Sequence, residues 1–268
     1  MRTEDADRGA GRDRPRYLFI GGLHRSGTSL TARLAAELPG AGGITGAPVP
    51  ENEGVYLQGA IPHTALLGRP MQFATDPAEH LTEAHPLNTL ETKLRLERDW
   101  APWFEDGLRW RVEKSPVNLT RTRLLQQLFP LSQFLIVLRH PEAVAASVAG
   151  WTPRPRPDLI DHWIAAHERL KADLPYLHAC LVLRYEDITA DPGRARARIA
   201  AFLSLDADGA GGEPVTDGNA QYAGTDPMSP AQASAAADWG YAPGLRCAPW
   251  PGHVRHPLRA VLQAVERA

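Results

Sequence analysis

The chain has 268 residues, of which 43% are hydrophobic and 22% are charged, so it is long enough to bury a sizeable core as one domain. Its formal net charge of −2 provides no global basic field, which argues against nucleic acid or an anionic membrane as a partner. The 2 cysteines lack metal-ligand spacing, which argues against a zinc site and a disulfide framework.

The N-terminal residues 1–16 are charged and contain no apolar core. They predict a short disordered tail rather than a signal peptide or an anchor. No apolar run approaches the roughly 20 residues of a membrane-spanning helix, and we expect a cytoplasmic location. Residues 17–268 are expected to form a single domain.

The first predicted strand and helix flank a loop of the phosphate-binding kind. Residues 16–22 form an apolar run typical of a buried strand, and residues 28–38 carry apolar side chains at helical spacing. In such a loop, backbone N–H groups and the positive end of the helix face an anion. The predicted donors are Arg25, Ser26, Gly27, Thr28 and Ser29.

This loop departs from that of nucleoside triphosphatases, whose pattern is GxxxxGK[ST]. Counted from Gly22, the second glycine is Gly27, but Thr28 follows it instead of lysine. The positive charge lies at Arg25, whose planar guanidinium can hold two anionic oxygens. A small-molecule or nucleoside kinase with a degenerate loop is one alternative for such a sequence.

Beyond residue 87, helices alternate with strands. The predicted elements are a helix over 87–108, a strand over 109–116, a helix over 118–128, a strand over 132–141, helices over 141–150 and 157–172, a strand over 179–188, a helix over 191–204 and a terminal helix over 253–268. This alternation predicts a three-layer α/β fold with a mostly parallel sheet. Residues 39–88 are predicted to form loops and short helices that lie over a site, and residues 206–232 a flexible loop or lid.

The segment "FLIVLRHPEAVAAS", residues 134–147, combines the end of an apolar strand with the start of a helix. Arg139 ends an apolar strand, and Ser147 lies two helical turns beyond Pro141. A guanidinium and a hydroxyl placed in this way can meet one phosphate group.

Four segments together resemble sulfotransferases that use 3′-phosphoadenosine 5′-phosphosulfate (PAPS). "GGLHRSGTSL" (21–30) resembles their 5′-phosphosulfate loop, and Arg139 with Ser147 resembles their 3′-phosphate site. "WRVEKSP" (110–116) is similar to the EK[ST]P strand end of carbohydrate sulfotransferases, and "VLRYEDITADP" (182–192) to the strand whose tyrosine lies by the adenine. The likeness is closer to the tyrosylprotein and carbohydrate enzymes than to the cytosolic ones, and it implies the phosphate-loop-like fold of that family.

The resemblance also implies roles for individual residues. The loop residues would hold the phosphosulfate, and Tyr185 would contact the adenine. Lys114 would neutralise the bridging oxygen as the nucleotide leaves, with no metal required. Three residues are candidates for the base that takes the acceptor's proton, ranked Glu53, then Glu51, then His24.

The function implied is sulfuryl transfer from PAPS to a hydroxyl of a small molecule or carbohydrate. Richness in Ala, Arg, Gly and Pro is typical of a high-GC bacterium, where natural-product tailoring is a natural setting. A non-catalytic nucleotide-binding relative is a further alternative beside the kinase. No motif identifies the acceptor or the oligomeric state.

Overall fold

The computed structural model describes residues 14–63, 72–207 and 215–268. Its strands are Arg16–Gly22 (β1), Ala41–Gly43 (β2), Trp110–Lys114 (β3), Gln133–Leu138 (β4), Cys180–Arg184 (β5), Tyr241–Ala242 (β6), Arg246–Cys247 (β7) and His253–Arg255 (β8). Its helices are Thr28–Ala36 (α1), Leu90–Trp100 (α2), Thr122–Leu128 (α3), Pro141–Val148 (α4), Arg156–Asp173 (α5), Tyr185–Ala190 (α6), Pro192–Leu203 (α7), Pro230–Ala237 (α8) and Arg259–Arg267 (α9).

The central sheet has the strand order β2-β3-β1-β4-β5-β8. β8 runs antiparallel to β5, and the other neighbouring strands pair in parallel. Ile20 of β1 is level with Lys114 of β3 and with Leu135 of β4. The carboxyl ends of these three strands therefore meet at one end of the sheet, where open α/β sheets bind their ligands.

Helices cover both faces of this sheet, because alternate side chains of each strand point to opposite faces. Phe19 and Phe134 belong to a hydrophobic cluster shared with α2, α3, α4 and α5. Leu18 and Leu135 belong to a second cluster shared with α1, α7 and α9. The predicted three-layer α/β fold with a mostly parallel sheet is confirmed.

Two predicted helices are shorter than expected, and a proline explains each difference. α2 ends at Trp100, two residues before Pro102, because a proline has no N–H with which to continue the helical hydrogen bonds, and Ala101–Trp103 form a 3₁₀ turn instead. α3 begins only at Thr122, because Pro116 opens a separate 3₁₀ turn over residues 116–120.

The predicted strand over 179–188 is too long. β5 ends at Arg184, and Tyr185 begins α6. Glu186 and Asp187 occupy the first turn of that helix, where carboxylates interact favourably with the positive helix end. Arg184 donates to Asp187 at 2.8 and 2.9 Å, which stabilises the same turn.

The predicted terminal helix over 253–268 is wrong in its first residues. They form β8, in which Val254 pairs with Leu181 of β5. Pro257 disfavours helix in the residue before it, and α9 begins after it at Arg259. A strand of 3 residues is too short to show an alternating pattern in sequence.

Parts of two other predictions lie outside the described residues. These are residues 1–13 of the predicted tail and residues 208–214 of the predicted loop or lid. Within the described part of the second segment, α8 begins at Pro230. Among the helices of the described residues, none combines the length and the apolar character needed to cross a membrane.

Candidate active site

The loop between β1 and α1 offers donors to an anion. Gly27 has a φ of 95°, a left-handed value that favours glycine, and a Cβ there would lie 2.6 Å from the ring of Tyr185. No side chain caps the N-terminus of α1, so its first N–H groups remain available. The Ser26 hydroxyl is buried, with no hydrogen-bond partner among the described residues.

The other loop residues differ in exposure. Arg25 has a left-handed φ of 67° and an exposed side chain, and its guanidinium carbon is 5.9 Å from the ring centre of Trp151. Thr28 is buried. Ser29 is exposed and donates to Oε2 of Glu51 at 3.0 Å. The loop therefore carries one exposed cation beside its hydroxyl and backbone donors.

Arg139 follows the end of β4 and lies directly against this loop. Its Nη1 donates to the carbonyl oxygen of Arg25 at 2.8 Å, and its Nε donates to Oδ1 of Asn219 at 2.7 Å. Its guanidinium carbon is 4.4 Å from the ring centre of Tyr185. The two predicted anion sites are therefore in contact with each other.

Tyr185 and Ser147, the other two predicted nucleotide contacts, are held differently. The Tyr185 hydroxyl accepts from the N–H of Gly218 at 2.8 Å and donates to the carbonyl oxygen of Thr216 at 3.2 Å. The half-buried Ser147 donates to a carbonyl oxygen of its own helix, that of Val144, at 2.9 Å. Tyr185 therefore links the loop region to the chain around residue 217, whereas the Ser147 hydroxyl proton is used within α4.

Lys114 ends β3, on the opposite side of β1 from Arg139. Its Nζ donates to Oε1 of Glu53 at 3.1 Å. Lys114 is 5% exposed and Glu53 is 8% exposed, so water screens their interaction only weakly. The structure thus brings the predicted electrophilic lysine and the first-ranked base into direct contact.

Burial raises the pKa of Glu53, although the Lys114 ammonium opposes that rise. The neighbouring Glu113 also has a pKa raised by burial, against the effect of its hydrogen bonds. It accepts from Ser115 Oγ at 2.6 Å and from Asn118 Nδ2 at 2.5 Å. Glu113 is therefore held by local donors, while Glu53 is the carboxylate that contacts Lys114.

The two remaining candidate bases, Glu51 and His24, do not share the buried, lysine-paired environment of Glu53. Glu51 is exposed and has a left-handed φ of 53°. The ring of His24 packs against Phe73, with 5.5 Å between ring centres. Burial, together with the nearby His63 and Lys114, lowers the pKa of His24 to about 4. His24 is therefore neutral at pH 7 and a weak base.

Residues 15–209 match the model of the sulfotransferase family, which is well over half of the chain. The chain belongs to the sulfotransferase family. This match confirms the predicted resemblance and favours a sulfotransferase over the kinase alternative. No curated protein sequence matches the chain significantly.

Several solved structures resemble this sulfotransferase. A sulfotransferase domain from the curacin biosynthetic pathway is similar with a TM-score of 0.52 and 16% identity, over 85% of this chain and 98% of that one. The sulfotransferase domain of the Synechococcus PCC 7002 olefin synthase has a TM-score of 0.49 and 20% identity, over 94% of each chain. A sulfotransferase from Alicyclobacillus acidocaldarius has a TM-score of 0.48 and 18% identity, over 82% of this chain and 89% of that one. The first of these likenesses supports the sulfotransferase fold.

Sequence reasoning missed two polar residues beside Arg139 in this sulfotransferase. Asn219 is 5% exposed and accepts from Arg139, as described above. Its Nδ2 donates to Oε1 of Glu186 at 2.7 Å. Asn219 lies 80 positions after Arg139 in a segment without a recognisable motif, so no local signal pointed to it. Glu186 lies inside the segment that resembles the family, but the resemblance implied no role for it.

A cavity of about 540 Å³ borders the sulfotransferase site on the β3 side. Ser29, Glu51 and Lys114 line it near the loop, and Gly43 and Ile44 line it farther along. The cavity therefore reaches from the sheet edge to the proposed catalytic lysine. In the part of the chain that the structure describes, no group of three or more His, Cys, Asp or Glu side chains is placed to hold a metal ion.

Proposed function

We propose that this sulfotransferase uses PAPS as its donor and transfers the sulfuryl group to a hydroxyl of a small-molecule or carbohydrate acceptor. The observation that carries the proposal is the 2.8 Å contact between Arg139 and the carbonyl oxygen of Arg25. Because of this contact, a nucleotide with phosphates on both its 5′ and 3′ carbons can reach both anion sites at once. Tailoring of a natural product is the proposed setting, on the grounds of composition.

The residues present fit such a donor. Its phosphosulfate would bind residues 25–29, where α1 is uncapped and the Ser26 hydroxyl is without a partner among the described residues. Arg139 would bind the 3′-phosphate, and Tyr185 would contact the adenine. Ser147 would make a weaker contribution, since its hydroxyl already donates within its own helix.

The donor supplies an activated sulfuryl group, and the protein supplies position and charge. Lys114 lies on the β3 side of the loop, where its ammonium would neutralise negative charge on the leaving oxygen. Glu53 would remove the proton of the acceptor hydroxyl. A raised pKa makes Glu53 a stronger base than an exposed carboxylate.

The acceptor would enter through the cavity beside Lys114. That cavity combines an apolar floor of Ala32 and Val112 with the carboxylates of Glu51 and Glu105. Such a lining suits an acceptor that has both a carbon skeleton and polar groups. This composition supports a small hydroxylated molecule or a sugar as the acceptor class.

The test is incubation of the purified chain with ³⁵S-labelled PAPS and a panel of phenols, aliphatic alcohols and sugars. We expect a labelled product from at least one acceptor, together with release of adenosine 3′,5′-bisphosphate. Calorimetric titration with that bisphosphate is the companion measurement. If the chain does not bind it, the donor assignment is wrong. If it binds the bisphosphate and no acceptor yields product, the non-catalytic alternative is correct.

A further inference from the structure

The main chain that follows Glu53 is held at two successive residues. The carbonyl oxygen of Gly54 accepts a hydrogen bond from Nε1 of Trp100, on α2, at 2.9 Å. The N–H of Val55 donates to Oγ of Ser115, directly after β3, at 3.0 Å. All four of these partners are buried. The segment next to the proposed base is therefore attached both to a helix and to the end of a strand.

Ser115 is oriented for this role by its neighbours. A hydroxyl has one proton to donate, and Ser115 donates it to Oε1 of Glu113 at 2.6 Å. Nδ2 of Asn118 donates to Oε2 of the same carboxylate at 2.5 Å and to the carbonyl oxygen of Ile20, in β1, at 3.1 Å. Because its proton is committed to Glu113, the Ser115 hydroxyl turns a lone pair toward the N–H of Val55.

Gly54 allows the segment to lie directly against this network. A Cβ at residue 54 would be 2.6 Å from Oε1 of Glu113 and 2.8 Å from its Cγ, well inside the roughly 3.5 Å at which nonbonded atoms pack. Glu113 is 1% exposed and is held by its hydrogen bonds. The φ of Gly54 is not left-handed, so the close approach to Glu113 is what requires glycine here.

The contacts between the two segments follow a simple order. Glu53 contacts Lys114, Gly54 lies against Glu113, and Val55 binds Ser115. Residues 53–55 thus each meet one of the three consecutive residues 113–115. A main chain held at residues 54 and 55 therefore fixes where the carboxylate of residue 53 lies, 3.1 Å from the ammonium at the end of β3.

We propose that Trp100 and Ser115 are positioning residues, which hold the segment after Glu53 so that its carboxylate stays beside Lys114. In the "EKSP" segment, residues 113–116, the lysine is the proposed electrophile, and the glutamate and the serine hold the loop that carries the base. The proposal rests on the proposed function, because it concerns the base of that reaction. A displacement of about 1 Å in such a group can lower a rate about 100-fold, so these buried hydrogen bonds can control turnover.

Two matched tryptophan variants of the full chain test this proposal. Trp100→Phe removes the hydrogen bond to Gly54. Trp110→Phe removes one of the same kind, since the buried Trp110, at the opposite end of β3 from Lys114, donates from Nε1 to the carbonyl oxygen of Leu203 at 3.1 Å. We expect kcat to fall about tenfold in Trp100→Phe and less than about twofold in Trp110→Phe. The affinity for adenosine 3′,5′-bisphosphate, measured by calorimetry, should change less than about twofold in both.

Variants of Ser115 and an activity-independent measurement complete the test. Ser115→Ala should also lower kcat about tenfold, and Ser115→Thr, which keeps the hydroxyl, should restore most of the rate. Hydrogen exchange followed by mass spectrometry reports on the segment itself. Peptides that contain residues 53–57 should exchange faster in Ser115→Ala and Trp100→Phe than in the unaltered chain, and at the unaltered rate in Trp110→Phe.

A double-mutant cycle shows whether Trp100 acts through Glu53. In a Glu53→Gln background, Trp100→Phe should cause no further loss of kcat. Equal losses of kcat in the two tryptophan variants, additive losses in the cycle, or faster exchange with an unchanged kcat would overturn the proposal. Absence of product from the unaltered chain would instead refute the proposed function itself.

Discussion

The two sides of the candidate site treat their buried cations differently. On the β3 side, Lys114 is paired with the carboxylate of Glu53. On the β4 side, the direct partners of Arg139 are a neutral amide and a backbone carbonyl, and no ion pair among the described residues includes it. Lys114 is therefore neutralised within the protein, while Arg139 keeps a charge that a ligand can neutralise.

This difference matches two kinds of chemistry. An arginine held by neutral groups has the electrostatics of an anion-binding site. A lysine paired with a carboxylate of raised pKa suits a catalytic site. There the carboxylate can accept a proton, and the lysine can stabilise negative charge that develops only in the transition state. We therefore expect changes on the β3 side to affect turnover and changes on the β4 side to affect donor affinity.

Lys114→Ala should have the largest effect. Loss of the ammonium removes charge stabilisation in the transition state, and we expect kcat to fall about 10³-fold, with little change in bisphosphate affinity. Steady-state product formation and calorimetry measure the two quantities. Lys93→Ala, which removes a lysine paired with Glu97 on α2, is the control. A large loss of bisphosphate affinity in Lys114→Ala would contradict the proposed division between the two sides.

Glu53→Gln should lower kcat about 10²-fold, because an amide cannot take the acceptor's proton. In the unaltered enzyme the base must be unprotonated, so kcat/KM should rise with pH as Glu53 loses its proton. Burial raises the pKa of Glu53, so this rise should lie above the ordinary glutamate range of about 4.3. Activity measured against pH should show the rise in the unaltered enzyme. If kcat/KM of Glu53→Gln still rises over the same pH range, the base is another group.

Arg139→Ala should weaken binding of adenosine 3′,5′-bisphosphate about 30-fold, which is the expected loss for a charged hydrogen-bond donor. The rate at saturating donor should change much less. Calorimetry and the rate at saturating PAPS are the measurements, and Arg98→Ala, at an exposed arginine of α2, is the control. A fall in the saturated rate without loss of affinity would reverse the assignment.

Glu51→Ala should have the smallest effect. Its partner Ser29 is exposed, and exposed hydrogen bonds of charged groups contribute little, so we expect less than a threefold change in kcat/KM, or about 0.6 kcal/mol. Side-by-side assays with Glu53→Gln rank the two carboxylates. A larger loss in Glu51→Ala than in Glu53→Gln would assign the role of base to Glu51.

Local motifs allowed much of this site to be predicted from sequence. Arg25 and Arg139 each end or follow an apolar run, and a parallel sheet brings such strand ends together. The contact between Lys114 and Glu53 was not predictable in the same way, since the two residues are 61 positions apart and a loop of irregular backbone connects Glu53 to the sheet. The family resemblance identified each of the two residues as a candidate, but only the folded structure shows that they contact each other.

Asn219 shows the limit of prediction most clearly. An asparagine between Gly218 and Ala220 is an ordinary turn residue in sequence. Its importance arises only because the chain returns to Arg139 after α7, and residue periodicity carries no information about such a return. The same holds for β8, whose 3 residues acquire their conformation by pairing with β5.

The two outer strands of the central sheet are its shortest, which limits how copies of this chain can associate at high concentration. β2 and β8 each contain 3 residues, and the longer β1, β3, β4 and β5 lie between them. An unpaired strand edge is a template on which another chain can add its own strand, and short edge strands restrict that template. The arrangement therefore protects the chain against aggregation through its sheet edges.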